Sequence, residues 1–269
     1  MRSGKMGKNK FSIDGVFGKN KIGSGDEAVT LAKIGGEMNF ASSEAYNTLR
    51  TNLKFAFPGS EGCKVIGITS SDPSEGKSVT SINLAYTLAK DGKRTLIVSG
   101  DMRKPAVEIY LGLGQSDSGL SNLLAGDMKQ GGGCIVRSAL NENLFILPSG
   151  EIPPNPSELI GSATMGKLIG ALRKNYDYII VDLPPVNAVV DAVEAAKYVD
   201  GMVLVIRHSF ARKTAVTSVV KQLEYAGAKI VGFVYNAHST ESAKYGRKNY
   251  KKYGDYYGKA GKKKENGAE

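Results

Sequence analysis

A single mostly parallel α/β sheet with helices on both faces follows from three features of this 269-residue sequence. Short apolar runs alternate with stretches of helical spacing, the order that builds strand–helix–strand units. One run breaks into a Gly-Lys-Ser loop that feeds a helix, and another, Tyr178-Ile179-Ile180-Val181-Asp182, ends in an aspartate. At 41% hydrophobic composition the chain can bury one sizeable core, so one domain over 38–240 is expected, between a flexible basic arm (1–37) and a disordered Tyr/Lys-rich tail (241–269).

Residues 1 to about 38 carry Gly, Lys, Ser and Asp with little periodicity and are expected to form the arm. Ser42-Ser43-Glu44 then opens a helix in which Ala45, Tyr46, Leu49, Leu53 and Phe57 recur at three- and four-residue steps, until Pro58-Gly59 stops it. Coming before the first strand, this helix is expected on the outside of the sheet or against a neighbouring subunit. Val65, Ile66 and Ile68 mark that strand, and Val79, Ile82, Leu84, Ala85 and Leu88 mark the helix after the Gly-Lys-Ser loop. A second buried strand, Thr95-Leu96-Ile97-Val98, runs into Ser99-Gly100-Asp101-Met102-Arg103-Lys104-Pro105. The stretch 112–143 is rich in Gly, Ser and Asn, with a helical piece around 120–124. Leu144-Phe145-Ile146-Leu147 is a third strand, and one helix is expected from Pro156 through Leu172, with the proline in its first turn. After the Asp182 strand, a helix starts at Asp191; strands over 202–206 and 230–236, with a helix over 214–225 between them, complete the sheet.

The chemistry concentrates at the first loop, Ser71-Asp72-Pro73-Ser74-Glu75-Gly76-Lys77-Ser78-Val79. Binding phosphates takes converging backbone N–H groups, a cation that reaches the terminal phosphates and a hydroxyl for Mg²⁺. A loop entering a helix N-terminus supplies the first, Lys77 the second and Ser78 the third. The pattern is that of a phosphate loop, GxxxxGK[ST], with Ser71 at the first glycine position. Asp101, at the carboxyl end of the next strand, would hold Mg²⁺, accept a proton, or cap the helix near Pro105. Asp182 is placed to hold the water shell of the metal. Asn236 would meet a purine edge or end its strand in a turn. A nucleoside triphosphate site is the reading these residues support.

Composition excludes other classes. No apolar run approaches the roughly 18–20 residues of a membrane span, and the opening MRSGKMGKNK lacks the apolar segment of a secretory signal, so a cytosolic protein is expected. Cys63 and Cys134 are too few for a metal cluster or a disulfide framework. The formal charge of +10 is concentrated at the two ends. Basic ends suit nucleic acid, an anionic membrane, an acidic partner, or water alone. Tyr245, Tyr250, Tyr253, Tyr256 and Tyr257 sit among the lysines of the tail. They would stack on single-stranded nucleic acid or serve as phosphoacceptors.

Taken in order, the helix from Glu44 to Arg50, the loop SSDPSEGKS, the second loop SGDMRKP, the strand YIIVDLPPV and the tyrosine tail resemble the cytoplasmic domain of bacterial tyrosine kinases (BY-kinases) of capsule and exopolysaccharide synthesis. The resemblance covers about residues 38 to 257 and implies a phosphate-loop sheet related to the MinD and ParA ATPases. It implies ATP and Mg²⁺, with Lys77 and Ser78 on phosphates and metal, and Asp101 and Asp182 completing the metal and catalytic centre. It also implies autophosphorylation of the tail tyrosines in trans, within a homo-oligomeric ring where one subunit's tail enters its neighbour's site. A membrane-anchored polysaccharide co-polymerase would be the activator, holding the chain at the inner face of the membrane; nucleic acid is not an expected partner.

Three departures from the family pattern stand out. The second loop usually offers two aspartates, and here Ser99 replaces the first, which is thought to help activate the attacking tyrosine hydroxyl. Ser74 stands where the loop usually has glycine. The ring-forming pattern ExxRxxR reads Glu44, Asn47, Arg50, with one arginine missing. Two other functions therefore compete with an autokinase: a MinD- or ParA-like ATPase that positions cargo on membrane or DNA, and an ATP-binding pseudokinase suggested by Ser99.

Overall fold

The computed structural model describes residues 34–59, 61–114, 116–126 and 133–237. Residues 1–33 of the expected basic arm, and the tail with its five tyrosines, lie outside these residues, whereas Gly35–Glu37 form a 3-10 turn. The sheet has seven strands: β1 (Lys64–Ser70), β2 (Thr95–Ser99), β3 (Val136–Arg137), β4 (Leu144–Leu147), β5 (Tyr178–Asp182), β6 (Gly201–Arg207) and β7 (Ile230–Asn236). They lie in the order β3-β4-β2-β5-β1-β6-β7. Every neighbouring pair is parallel except β3 with β4. The antiparallel β3, two residues long, is too short to leave a period in the sequence and was not anticipated.

Apolar side chains on the central strands alternate between two cores, as a period of two requires when both faces are covered. Val65, Leu96, Val98, Ile179, Val181, Met202 and Leu204 point to one. Ile66, Ile68, Ile97, Ile180, Val203 and Val205 point to the other. The second face is covered by α1 (Phe40–Ala56), α2 (Lys77–Lys90) and the short α3 (Val107–Tyr110). The first is covered by α4 (Leu120–Ala125), α5 (Pro156–Gly161), α6 (Ala163–Leu172), α7 (Asp191–Ala195) and α8 (Lys213–Tyr225).

Two helices differ from expectation. α1 begins before Ser42, because Asn39 caps it: the Asn39 side chain accepts the Ser42 N–H at 2.8 Å. The single helix expected over 156–172 is two, since Ser162 is extended (φ −72°, ψ 155°) and accepts the Met165 N–H to start α6. Its hydroxyl donates back to Leu159 O at 2.7 Å, so one serine closes α5 and opens α6.

Strand order positions the site. β2, β5 and β1 are adjacent and parallel, so the loops leaving their carboxyl ends meet at one edge, where open parallel sheets take their ligands. Ile68 of β1 and Ser99 of β2 are both in register with Asp182 of β5.

Candidate nucleotide and metal site

The loop after β1 turns back over the strand end before α2 begins at Lys77. Gly76 caps that helix with φ +93°, and a Cβ there would lie 2.1 Å from Asn236 Nδ2, so only glycine fits. Ser74 also takes a left-handed conformation, φ +66°. The loop is braced from within by Ser71, whose hydroxyl donates to Glu75 Oε1 at 2.6 Å. Glu75 is fully buried, and burial pushes its carboxyl pKa up despite that hydrogen bond. Two donors brace the loop from outside: Asn236 Nδ2 reaches Glu75 O at 2.9 Å, and Arg207 reaches Ser74 O at 3.1 Å. Asp72 accepts a long hydrogen bond from Asn187 at 3.4 Å, Pro73 and Ser74 are exposed, and Val79 is half-buried on the first turn of α2.

Lys77, Ser78, Asp101 and Asp182 converge. Lys77 Nζ lies 2.9 Å from Asp101 Oδ2 and 3.6 Å from Asp182 Oδ2. Ser78 Oγ donates to Asp182 Oδ2 at 2.7 Å, and Ser81 Oγ lies 3.0 Å from Asp182 Oδ1. Burial opposes the charge on Lys77, but the two aspartates outweigh it and hold its pKa above the ordinary value. Burial pushes the Asp182 carboxyl up against the opposing pull of Lys77 and Ser78. Asp101 also accepts the Lys104 N–H at 3.0 Å, so it ties its own loop down while facing the lysine. A hydroxyl and two carboxylates are hard oxygen donors, and few enough to leave places for phosphate oxygens and water, which is the chemistry Mg²⁺ takes. The set therefore fits the metal.

Other residues named from sequence are engaged differently. Asn236 spends its amide inside the chain, Nδ2 on Glu75 O and Oδ1 on Ala237 N. On α1, Arg50 pairs with Asp91 at 2.8 Å and Glu44 accepts from Asn47 at 2.9 Å. Cys63 and Cys134 are buried and free, their thiols pushed up to about 11 by desolvation.

Two site residues were not anticipated. Ser81 follows Ser78 by one helical turn, and that spacing was the available signal. Arg207 had none, since it arrives from the far end of β6.

Among the described residues no helix is long and apolar enough to cross a membrane. Residues 63–228 match the family model described as AAA domain. The chain is 36% identical over 205 residues to the tyrosine-protein kinase CpsD of Streptococcus agalactiae, covering 76% of this chain and 86% of that protein. Among solved structures, the chimerical protein CapA2B2 superposes with a TM-score of 0.67 at 37% identity, covering 78% of this chain and 96% of that one. The septum site-determining protein MinD of Pyrococcus horikoshii, complexed with Mg-ADP, superposes with a TM-score of 0.56 at 27% identity over 66% of this chain and 72% of its own. A phosphate loop and two strand-end aspartates on one sheet edge, together with these similarities, place the chain in the family of bacterial tyrosine kinases built on a MinD-like phosphate-loop sheet.

Proposed function

We propose that the protein is an ATP-dependent protein-tyrosine kinase that transfers the γ-phosphoryl group of ATP to tyrosines of its own C-terminal tail, in trans, in the service of capsule or exopolysaccharide synthesis. The observation that carries this is the meeting of Lys77, Ser78, Asp101 and Asp182 at the carboxyl edge of β1, β2 and β5. To take up ATP, Lys77 exchanges the two aspartates for the β- and γ-phosphates, and the N-terminal N–H groups of α2 close on the same oxygens. Ser78, Asp101 and Asp182 would hold Mg²⁺, which would supply charge neutralisation for the phosphoryl transfer.

The tyrosine supply is the tail, Tyr245, Tyr250, Tyr253, Tyr256 and Tyr257. Phosphorylation would give each about two negative charges among the lysines and so reverse the sign of the segment. A ring would let one subunit's tail reach its neighbour's site, with Glu44 on the contact; Arg50 joins it only by loosening from Asp91. The chimerical CapA2B2 supports a second protein as partner, and we assign that role to a membrane-anchored activator that holds the kinase at the inner face of the membrane.

The test is intact mass after incubation of the full chain with ATP, Mg²⁺ and a candidate activator. Mass increments of phosphate mapped to 245–257 support the proposal. Free phosphate released with the chain unlabelled would support the MinD-like ATPase reading, which the likeness to MinD favours.

A further inference from the structure

Glu108 is the buried ionisable group to which the site so far gives no work. It lies on α3, is 2% exposed, and both carboxylate oxygens are held by uncharged donors: the Ser99 hydroxyl on Oε2 at 2.9 Å and the Ser149 N–H on Oε1 at 2.5 Å. A buried carboxylate whose partners are a hydroxyl and an amide is expensive to keep, and a glutamine would fill the same space at less cost. A carboxyl group in such a place, joined to a hydroxyl at the ligand edge, points to use.

Its outlet is Ser99. That residue ends β2 in register with Asp182, and the next N–H, of Gly100, donates to Asp182 O at 2.8 Å. The Ser99 hydroxyl therefore stands at the ligand edge with a carboxylate directly behind it. Ser99 is buried, as are Lys77, Ser78, Asp101 and Asp182, and its register with Asp182 sets it beside them on the same sheet edge.

Resting on the kinase reading above, we infer that Ser99 and Glu108 together accept the proton of the attacking tyrosine. Tyrosine has an ordinary pKa of about 10 and must lose its proton as it attacks, while a serine hydroxyl alone is too weak a base to take it. Asp101 and Asp182, once Lys77 turns to the phosphates, are committed to the metal. The tyrosine proton passes to Ser99 Oγ as the Ser99 proton passes to Glu108 Oε2. The tyrosine oxygen forms its bond to the γ-phosphorus, and the bond from that phosphorus to the β–γ bridging oxygen breaks. That oxygen leaves on ADP, and Glu108 returns its proton to water through Ser99. Glu108 acts through Ser99 and is a positioning residue.

The experiment measures tail phosphorylation by the full chain with its activator, alongside ATP binding, for wild type, Glu108→Gln, Ser99→Ala, Ser99→Asp and Ser99→Asp/Glu108→Gln. Glu108→Gln and Ser99→Ala are expected to lower kcat at least about tenfold while the KM for ATP stays within about twofold. Ser99→Asp alone sets a second carboxylate against Glu108 and gains nothing. The double variant, with one carboxylate restored at 99 and an amide behind it, is expected to recover to within about threefold of wild type. Wild-type kcat in Glu108→Gln, a double variant as slow as Glu108→Gln, or loss of ATP binding in Glu108→Gln would each overturn the relay. An unlabelled wild-type chain would instead overturn the kinase reading, and the relay with it.

Discussion

Replacing Lys77 with methionine removes the cation between two covered carboxylates. With Nζ at 2.9 Å from Asp101 and 3.6 Å from Asp182, the gross attractions are about 6 and 5 kcal/mol at an effective dielectric constant near 20. Desolvation of the lysine cancels much of that sum. Removing one partner of a buried pair nevertheless costs about 3–5 kcal/mol, because the remaining charge is stranded. Asp182, fully buried, is the stranded group. Lys77→Met is expected to lower urea stability by that amount, equivalent to roughly 6–20 °C in Tm for a domain of this size. Lys77→Met/Asp182→Asn should recover most of the loss, since the uncompensated charge goes with the aspartate. The pH dependence adds a check. Lys77 has its folded pKa raised above the usual 10.5, so its stabilisation is complete below that value and is lost as pH rises through the folded pKa. The gap between wild type and Lys77→Met therefore closes only in strong alkali. A Lys77→Met chain as stable as wild type at neutral pH, or one still phosphorylated by itself, would refute this account.

Two further outcomes follow from the loop and the cysteines. Ser74 holds φ +66° without being glycine, so Ser74→Gly relieves a left-handed strain of about 1–2 kcal/mol and returns part of it as unfolded-state entropy, for a net gain of about 0.5–1 kcal/mol in urea unfolding; a loss of stability would mean that the serine side chain holds the loop. With Cys63 and Cys134 buried and their thiols at about 11, iodoacetamide at pH 8 should leave the folded chain unmodified by mass and label both in urea. Rapid native labelling would contradict their burial.

What was legible in the sequence was local chemistry. The strand, the Gly-Lys-Ser loop and the helix after it are contiguous, so their roles were readable from order alone, and the apolar run ending at Asp182 announced a carboxylate on the ligand edge. Bends set by one side chain were less visible. Ser162 breaks a run whose apolar spacing continues through it, because its hydroxyl closes α5 while its oxygen caps α6. Contacts made by topology were not legible at all. Arg207 and Asn236 reach the phosphate loop only because β6 and β7 lie beyond β1 in the sheet, and no spacing along the chain records that. Glu108 sits three residues past Pro105 in a segment too short for periodicity. Ser99 read as a carboxylate lost; the structure sets another carboxylate against it.

The two outer braces have a consequence for ATP affinity. A phosphate loop works when successive peptide N–H groups face inward, which requires their carbonyl oxygens to face outward and find donors there. Asn236 Nδ2 on Glu75 O and Arg207 on Ser74 O are such donors, placed on consecutive peptides just before Gly76. The Asn236 bond is the better protected, for Glu75 is buried while Arg207 and Ser74 are exposed. Asn236→Ala leaves the Glu75 carbonyl without its donor, and the loop loses about 0.5–1.5 kcal/mol of preference for the inward-facing form. ATP affinity should then fall about 2- to 10-fold, with a smaller effect for Arg207→Ala. Asn236→Asp should be worse than alanine, because it sets a carboxylate against the Glu75 oxygen and close to the phosphates. Titration of a fluorescent ATP analogue separates the three. If Asn236→Ala binds as wild type does, the amide holds only the end of β7, and the orientation of the loop is set by Gly76 and α2.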